Sequence, residues 1–189
     1  MKLLAIAGAL RQGSLNKQLL RLATKLLEGA GVEIDSIDFR ALAIPIYDGD
    51  VEASTGLPPG GLELAKRVTG ADGLVIASPE YNMSAPALVK NAIDWLSRAK
   101  PMPLRGKSAL LLSASPSLVG GNRGLWALRV PLEVLGVHVY PDMFSLATAH
   151  QAFTPEGELK DEPLGKFLRR TIDGFVRATR ALQSPEVKS

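Results

Sequence analysis

The stretch Gly8-Ala9-Leu10-Arg11-Gln12-Gly13-Ser14-Leu15-Asn16 holds a guanidinium, a hydroxyl and a side-chain amide, and no acidic residue. An apolar run, Leu3-Leu4-Ala5-Ile6-Ala7, leads into it, and Leu19, Leu22, Ala23, Leu26 and Leu27 follow at helical spacing. The pattern is a strand, a small-residue loop and a helix N-terminus. Such a junction aims several backbone N–H groups and the positive end of a helix dipole at one spot. Arg11, Ser14 and Asn16 then read as a phosphate cradle. The same residues also read as an ordinary strand–helix loop, with Ser14 capping the helix and Arg11 in solvent.

The spacing narrows the choice of phosphate. Gly8 and Gly13 stand as far apart as the glycines of a Walker loop, but Ser14-Leu15 replaces the lysine and hydroxyl that would follow. No strand ends in an evident Mg²⁺-holding aspartate; the third apolar run ends Ala77-Ser78. A nucleoside triphosphatase is therefore disfavoured. The dinucleotide pattern G-x-G-x-x-G fails because position 10 is leucine. One arginine with a few donors suits a single phosphate monoester, such as that of FMN.

Two further stretches supply polar groups. Ser78-Pro79-Glu80-Tyr81-Asn82 follows the apolar strand Gly73–Ala77, with proline stiffening its second position. A rigid turn there aims the N–H groups of Glu80, Tyr81 and Asn82 at a flat heterocycle, where fixed dipoles stabilise an anionic reduced ring. The stretch Ser113–Asn122 brings hydroxyls, including Ser115, and lets backbone approach closely at Gly120 and Gly121. Tyr81 packed at a loop base, Glu80 as a surface charge and Gly120-Gly121 as a plain turn are the competing structural readings. His138 and His150 have no adjacent Cys, Ser-x-Gly or acidic partner, and no cluster has metal-ligand spacing.

Positioning these loops requires alternating strands and helices, and the chain supplies them. Strands are expected at Lys2–Ala7, Val32–Asp38, Gly73–Ala77, Lys107–Ser113 and Val137–Tyr140. Helices are expected at Asn16–Glu28, Leu62–Ala71, from about Pro86, along Leu125–Leu135 and from about Pro163. Phe39 to Gly61 reads as a long Pro/Gly-rich loop that packs down in part. Five alternations specify an α/β, flavodoxin-like three-layer sandwich. Its parallel sheet would run 2-1-3-4-5, with helices on both faces. The crevice between strands 1 and 3 then gathers the loops 8–16 and 78–84. The 189 residues make one domain, 1–183, with a flexible tail at 184–189.

Composition sets the outer limits. A net charge of +3 with no basic run interleaved with aromatics argues against nucleic-acid binding. With no cysteine, disulfides, thiolate metal sites and cysteine nucleophiles are excluded, which fits a reducing cytoplasm. The five-residue apolar run after Met1-Lys2 is too short for a signal peptide core or a membrane span, so neither secretion nor membrane insertion is expected.

At these residues the sequence resembles the NADPH-dependent FMN reductase family, which includes quinone, azo-dye and chromate reductases. Gly8–Asn16 is close to that family's G-S-x-R-x-x-S-x-N. Pro79-Glu80-Tyr81-Asn82, followed by Lys90-Asn91-Ala92-Ile93-Asp94-Trp95, matches its second motif, and Ser115–Gly121 corresponds to a looser third. The resemblance covers Met1 to about Gly121. It implies bound FMN, with NADPH or NADH as hydride donor and a quinone, free flavin or other small electrophile as acceptor. It assigns the cofactor to Ala9, Arg11, Ser14, Leu15, Asn16, Pro79, Glu80, Tyr81, Asn82, Ser115, Gly120 and Gly121, with no side-chain acid or base in the hydride step. Ala9 departs from the family's serine, losing a hydroxyl and keeping an N–H. The family is typically dimeric or tetrameric, and the apolar helix surface around Trp95 is a place for such an interface. A flavodoxin-type electron carrier, or a catalytically silent flavin-binding module, is the alternative. Such carriers are usually acidic, whereas this chain is mildly basic.

Overall fold

The computed structural model describes residues 1–183; the expected tail, 184–189, lies outside the described residues. The first strand, β1 (Lys2–Ala7), is followed by α1 (Leu15–Gly29), which buries Leu19, Leu20, Leu22, Ala23 and Leu27 along one face. Then come β2 (Glu33–Ile37), α2 (Phe39–Leu42), α3 (Gly49–Thr55) and α4 (Pro59–Thr69). β3 (Gly73–Ala77), α5 (Ala87–Leu96), β4 (Ser108–Ala114) and α6 (Asn122–Val134) follow. The chain closes with β5 (His138–Val139), β6 (Phe144–Leu146), α7 (Ala149–Ala152) and α8 (Glu162–Leu182).

The strands are parallel in the order β2-β1-β3-β4-β5, as the alternation implied, and β6 also pairs with β4. β3 and β4 are buried along their whole length, as central strands covered on both faces must be. Side chains alternate across the sheet. Leu110, Leu112 and Ala114 meet the core beneath α1 and α8, while Ala109 and Leu111 meet the core beneath α4, α5 and α6.

Two expectations of element count change. The single fifth strand is two short ones: β5 pairs with Ser108 and Ala109, and β6 with Leu112 through Ala114. Pro141 follows Tyr140 between them and has no N–H to continue the ladder. The long loop from Phe39 to Gly61 is not irregular throughout. Asp38 accepts the Arg40 N–H at 3.0 Å and Asp48 accepts the Asp50 N–H at 2.8 Å, and each starts a short helix, α2 and α3. The next helix, α4, begins at Pro59, three residues earlier than the apolar spacing implies.

The loop is also strapped to α5. Asn91 accepts the Tyr47 N–H at 2.7 Å and donates to Pro45 O at 2.8 Å, and Trp95 Nε1 donates to the same carbonyl at 2.8 Å. Trp95 is fully buried and packs edge-on to Tyr47 at 5.1 Å. It is therefore core, and its ring is not available to an interface. Tyr47 in turn donates its hydroxyl to Glu52, and that bond holds the phenol's pKa above its usual value.

Candidate functional site

The first loop leaves β1 without breaking the sheet, since the Gly8 N–H still donates to Ala77 O at 2.8 Å. A side chain at Gly8 would place its Cβ 2.5 Å from Val89 Cγ2 and 3.3 Å from Ser78 Cα. Glycine is what lets the loop pass so close to β3 and α5. Ala9 is buried, while residues 10–13 are exposed. Ser14 caps α1, its Oγ accepting from the Lys17 N–H at 3.4 Å and keeping its own O–H free to donate. The N–H groups of Leu15 and Asn16 lie ahead of the first intrahelical bond. Arg11 is exposed and folds back over Gly13, with no acidic partner among the described residues. Backbone donors, a hydroxyl and an unpaired guanidinium thus face the same place.

Asn16 departs from the expected role. Its Nδ2 donates to Ala114 O and its Oδ1 accepts the Ala114 N–H, both at 2.9 Å and both buried. The side chain ties the start of α1 to the end of β4, so only the backbone N–H of Asn16 is left for a ligand.

The second loop is a small hairpin. Tyr81 and Ser84 exchange both backbone hydrogen bonds at 3.0 Å, and the two residues between them, Asn82 and Met83, have φ of 52° and 64°. Left-handed conformation at both central positions is the type I′ arrangement. The Tyr81 N–H, expected to face a ring, is therefore consumed by Ser84, and the N–H groups of Glu80 and Asn82 remain. Pro79 is buried, whereas Tyr81 is 58% exposed.

Glu80 does more than its backbone implies. Its carboxylate receives Arg123 Nε at 2.8 Å, Arg123 Nη2 at 2.5 Å and the Gly124 N–H at 3.1 Å. It thus fastens the second loop to the first turn of α6. The Arg123 hydrogen bond, aided by the Gly124 N–H and the Arg123 charge, holds its pKa below the usual carboxylate range. A Cβ at Gly124 would lie 3.0 Å from both Glu80 Cα and Cβ, so glycine permits the approach. Nothing in sequence spacing marks this clamp, because its members are more than forty positions apart.

The third loop is held from below. The Ser115 N–H donates to Leu146 O at 3.0 Å, and Ser115 O accepts from the Ala149 N–H at 2.9 Å. The Ser115 hydroxyl accepts the Ser117 N–H and donates to Ser117 Oγ, so it is turned into its own loop. A Cβ on Gly120 would strike the backbone of residues 145–147, and one on Gly121 would come within 2.0 Å of Ser113 Oγ. Both glycines have positive φ, 67° and 87°. Beneath Gly121, Ser113 Oγ is buried without a hydrogen-bond partner among the described residues. Residues 145–149, at and after the end of β6, therefore support the third loop, a contact that the sequence pattern did not show.

These features fit an FMN-like ligand: a phosphate cradle at one end of the β1–β3 crevice, and at the other a second loop with uncommitted N–H groups beside a glycine-lined third loop. Among the described residues no three His, Cys, Asp or Glu side chains converge as metal ligands would. No helix among those residues is long and apolar enough to cross a membrane.

Comparison with known proteins agrees. The family model for NADPH-dependent FMN reductases matches residues 1–151. An NAD(P)H-dependent FMN reductase of Pseudomonas aeruginosa is 35% identical over 186 residues, covering 97% of each chain. A quinone reductase of Escherichia coli K12 is 36% identical over 164 residues, 86% of each chain. The solved structure of the flavoenzyme NAD(P)H:acceptor oxidoreductase from Paracoccus denitrificans superposes with a TM-score of 0.82 at 29% identity, covering 95% of this chain and 97% of that one. With the sheet order, the crevice loops and the near full-length likeness in agreement, the chain belongs to the NADPH-dependent FMN reductase family of oxidoreductases.

Proposed function

We propose that this protein is an FMN-dependent NAD(P)H oxidoreductase that passes reducing equivalents to a quinone or another small electrophilic acceptor. The observation that carries this reading is the convergence of unpaired donors at one crevice. Arg11, the Ser14 hydroxyl and the N–H groups of Leu15 and Asn16 would hold the phosphate, with Ala9 contributing backbone only. The N–H groups of Glu80 and Asn82 would meet the ring, with Gly120 and Gly121 allowing backbone approach. Bound FMN supplies the hydride acceptor and donor. The chain supplies orientation and fixed dipoles. Glu80 is ionised and tied to Arg123, so it holds no proton to give at neutral pH. The relatives named above, an FMN reductase and a quinone reductase, support this reading.

The same reading includes a homo-oligomer. Trp126, Val130 and Val134 lie one turn apart along α6 and are 58%, 64% and 78% exposed. Tyr81 and Met83, on the neighbouring second loop, are also exposed.

The test is a visible spectrum of the purified protein, followed by anaerobic titration with NADPH and NADH and then addition of a quinone. A flavin spectrum bleached by a dinucleotide and restored by quinone is expected. A preparation that neither takes up FMN nor oxidises either dinucleotide would sink the reading. Bleaching only in the presence of a separate reductase would mark an electron carrier instead.

A further inference from the structure

The last helix, α8, holds the molecule's charge imbalance. It carries Lys166, Arg169, Arg170, Arg177 and Arg180 against Glu162 and Asp173, a balance of +3 that equals the net charge of the whole chain. At 3.6 residues per turn the five cations fall within an arc of about 100°. All five are exposed, while Leu168, Ile172, Phe175 and Val176 enter the core from the other side of the helix. The cations thus form one stripe along a helix of 21 residues, roughly 30 Å long. We propose that this stripe docks the protein on an anionic phospholipid surface, peripherally and without entering the bilayer. The proposal stands apart from the oxidoreductase reading, because docking needs no flavin. It adds a place where an apolar acceptor would be met, since such molecules partition into lipid.

The charge is open to a partner over most of the helix. Lys166 is paired with Glu162 at 2.7 Å, and these two share a cleft with Arg169 and Glu158. Arg170, Arg177 and Arg180 make no ion pair among the described residues. Arg170 lies over the Phe167 ring at 5.3 Å, and Arg180 donates to Ala30 O at 3.2 Å; neither contact neutralises a guanidinium. Asp173 stands on the same arc, at ion-pair distance from neither Arg170 nor Arg177. The neighbouring helix α1 adds Arg21 and Lys25 to this side of the molecule, but Glu156 and Glu158 share a cleft with them and Glu158 pairs with Lys25. The uncompensated charge is therefore that of α8 from Arg170 onward.

What the stripe lacks decides its occupant. Protein interfaces are anchored by large side chains, aromatic ones above all, buried in pockets. The one large apolar side chain that α8 leaves exposed among the described residues is Leu164, in its first turn and off the stripe. Reading base edges calls for amide side chains, and no Asn or Gln lies between Glu162 and Leu182. Four of the five cations are arginine, whose planar fork takes phosphate oxygens two at a time. A convex row of guanidiniums without an apolar anchor complements a plane of phosphates rather than a shaped partner. The stripe also lies on the face of the sheet opposite α6, so it stays open if copies associate along α6.

The test is co-sedimentation of the FMN-treated protein with phosphatidylcholine vesicles, with and without phosphatidylserine, at low and high salt. The wild type is expected to bind the vesicles that contain phosphatidylserine, to ignore the neutral ones and to leave both at high salt. Arg170→Gln with Arg177→Gln should weaken binding about 25-fold, at roughly fivefold for each cation near an anionic surface. Asp173→Asn, which removes the carboxylate from the stripe, should tighten it about fivefold. Circular dichroism and FMN affinity stay unchanged in these variants, which shows that they fold. A wild type that ignores anionic vesicles at low salt overturns the proposal, as does equal binding to neutral ones. Variants that bind as the wild type does also overturn it. Polyglutamate or a short DNA duplex bound as tightly as the vesicles overturns it too, because the stripe then holds any polyanion without need of a lipid plane.

Discussion

Arg11 and Glu80 are both charged and both at the crevice, and the structure separates their roles. Arg11 has no acidic partner among the described residues and lies over Gly13, open to a ligand. Arg11→Ala is expected to weaken FMN binding by about 2–4 kcal/mol, as for loss of a charge-assisted hydrogen bond to phosphate. Riboflavin, which has no phosphate, loses far less; equal losses in fluorescence titrations of both ligands would show that Arg11 does not grip the phosphate. Glu80 faces the protein. Its pKa is lowered in the folded state, first by the Arg123 hydrogen bond, so folding favours the ionised form. That stability is fully present above the unfolded carboxyl value of about 4.3 and is lost as pH falls through the lower folded value. Arg123 is 45% exposed, so solvent screening keeps the ion pair to roughly 1 kcal/mol. Glu80→Gln removes the titrating charge. The wild type should melt at higher temperature than Glu80→Gln at pH 7, and the gap should close as pH drops below about 4. A gap independent of pH would assign the effect to packing.

At the scale of elements, the loops are set by braces between distant parts of the chain. Asn16 joins α1 to β4 with two buried hydrogen bonds across 98 positions. Asn16→Ala leaves the buried N–H and C=O of Ala114 unpaired, at about 2–4 kcal/mol of stability. Urea unfolding should report that loss, and a change under 1 kcal/mol would mean that water replaces the amide. What the sequence made legible was what is local or periodic. The apolar faces of α1 and α8, the apolar β3, the apolar centre of β4 and the junction at Gly8–Leu15 follow from patterns within one element. What it hid was long-range or atypical. Glu80 on the start of α6 and Asn16 on Ala114 have no spacing signature. The hairpin at Asn82-Met83 uses a methionine where Asn-Gly is the usual signal for such a turn. The helices α2 and α3, capped by Asp38 and Asp48, are too short for apolar periodicity to reveal them.

Over the whole molecule, two helical layers bury a parallel sheet, and α6 is the element that keeps a conspicuous apolar stripe in solvent. Its inner residues, Leu125, Leu128 and Leu132, are in the core, while Trp126, Val130 and Val134 face outward. The Arg129 guanidinium lies over the Trp126 ring, 5.5 Å from its centroid. A two-fold contact would cover the same stripe on both copies at once. Each such side chain gains about 1.5 kcal/mol or more on full burial, a gross term that must exceed the freedom lost on association. The first turn of α6 also carries Arg123, the partner of Glu80, so an interface along this helix would run beside the second loop. Val130→Glu places a charge in the middle of the stripe while leaving the core residues of α6 untouched. Sedimentation velocity at micromolar concentration is expected to show a dimer or larger assembly for the wild type and a lower mass for Val130→Glu, with the same circular dichroism. A wild type that sediments as a monomer at that concentration removes the oligomer from the reading. An assembly that survives the charge places its interface elsewhere on the surface.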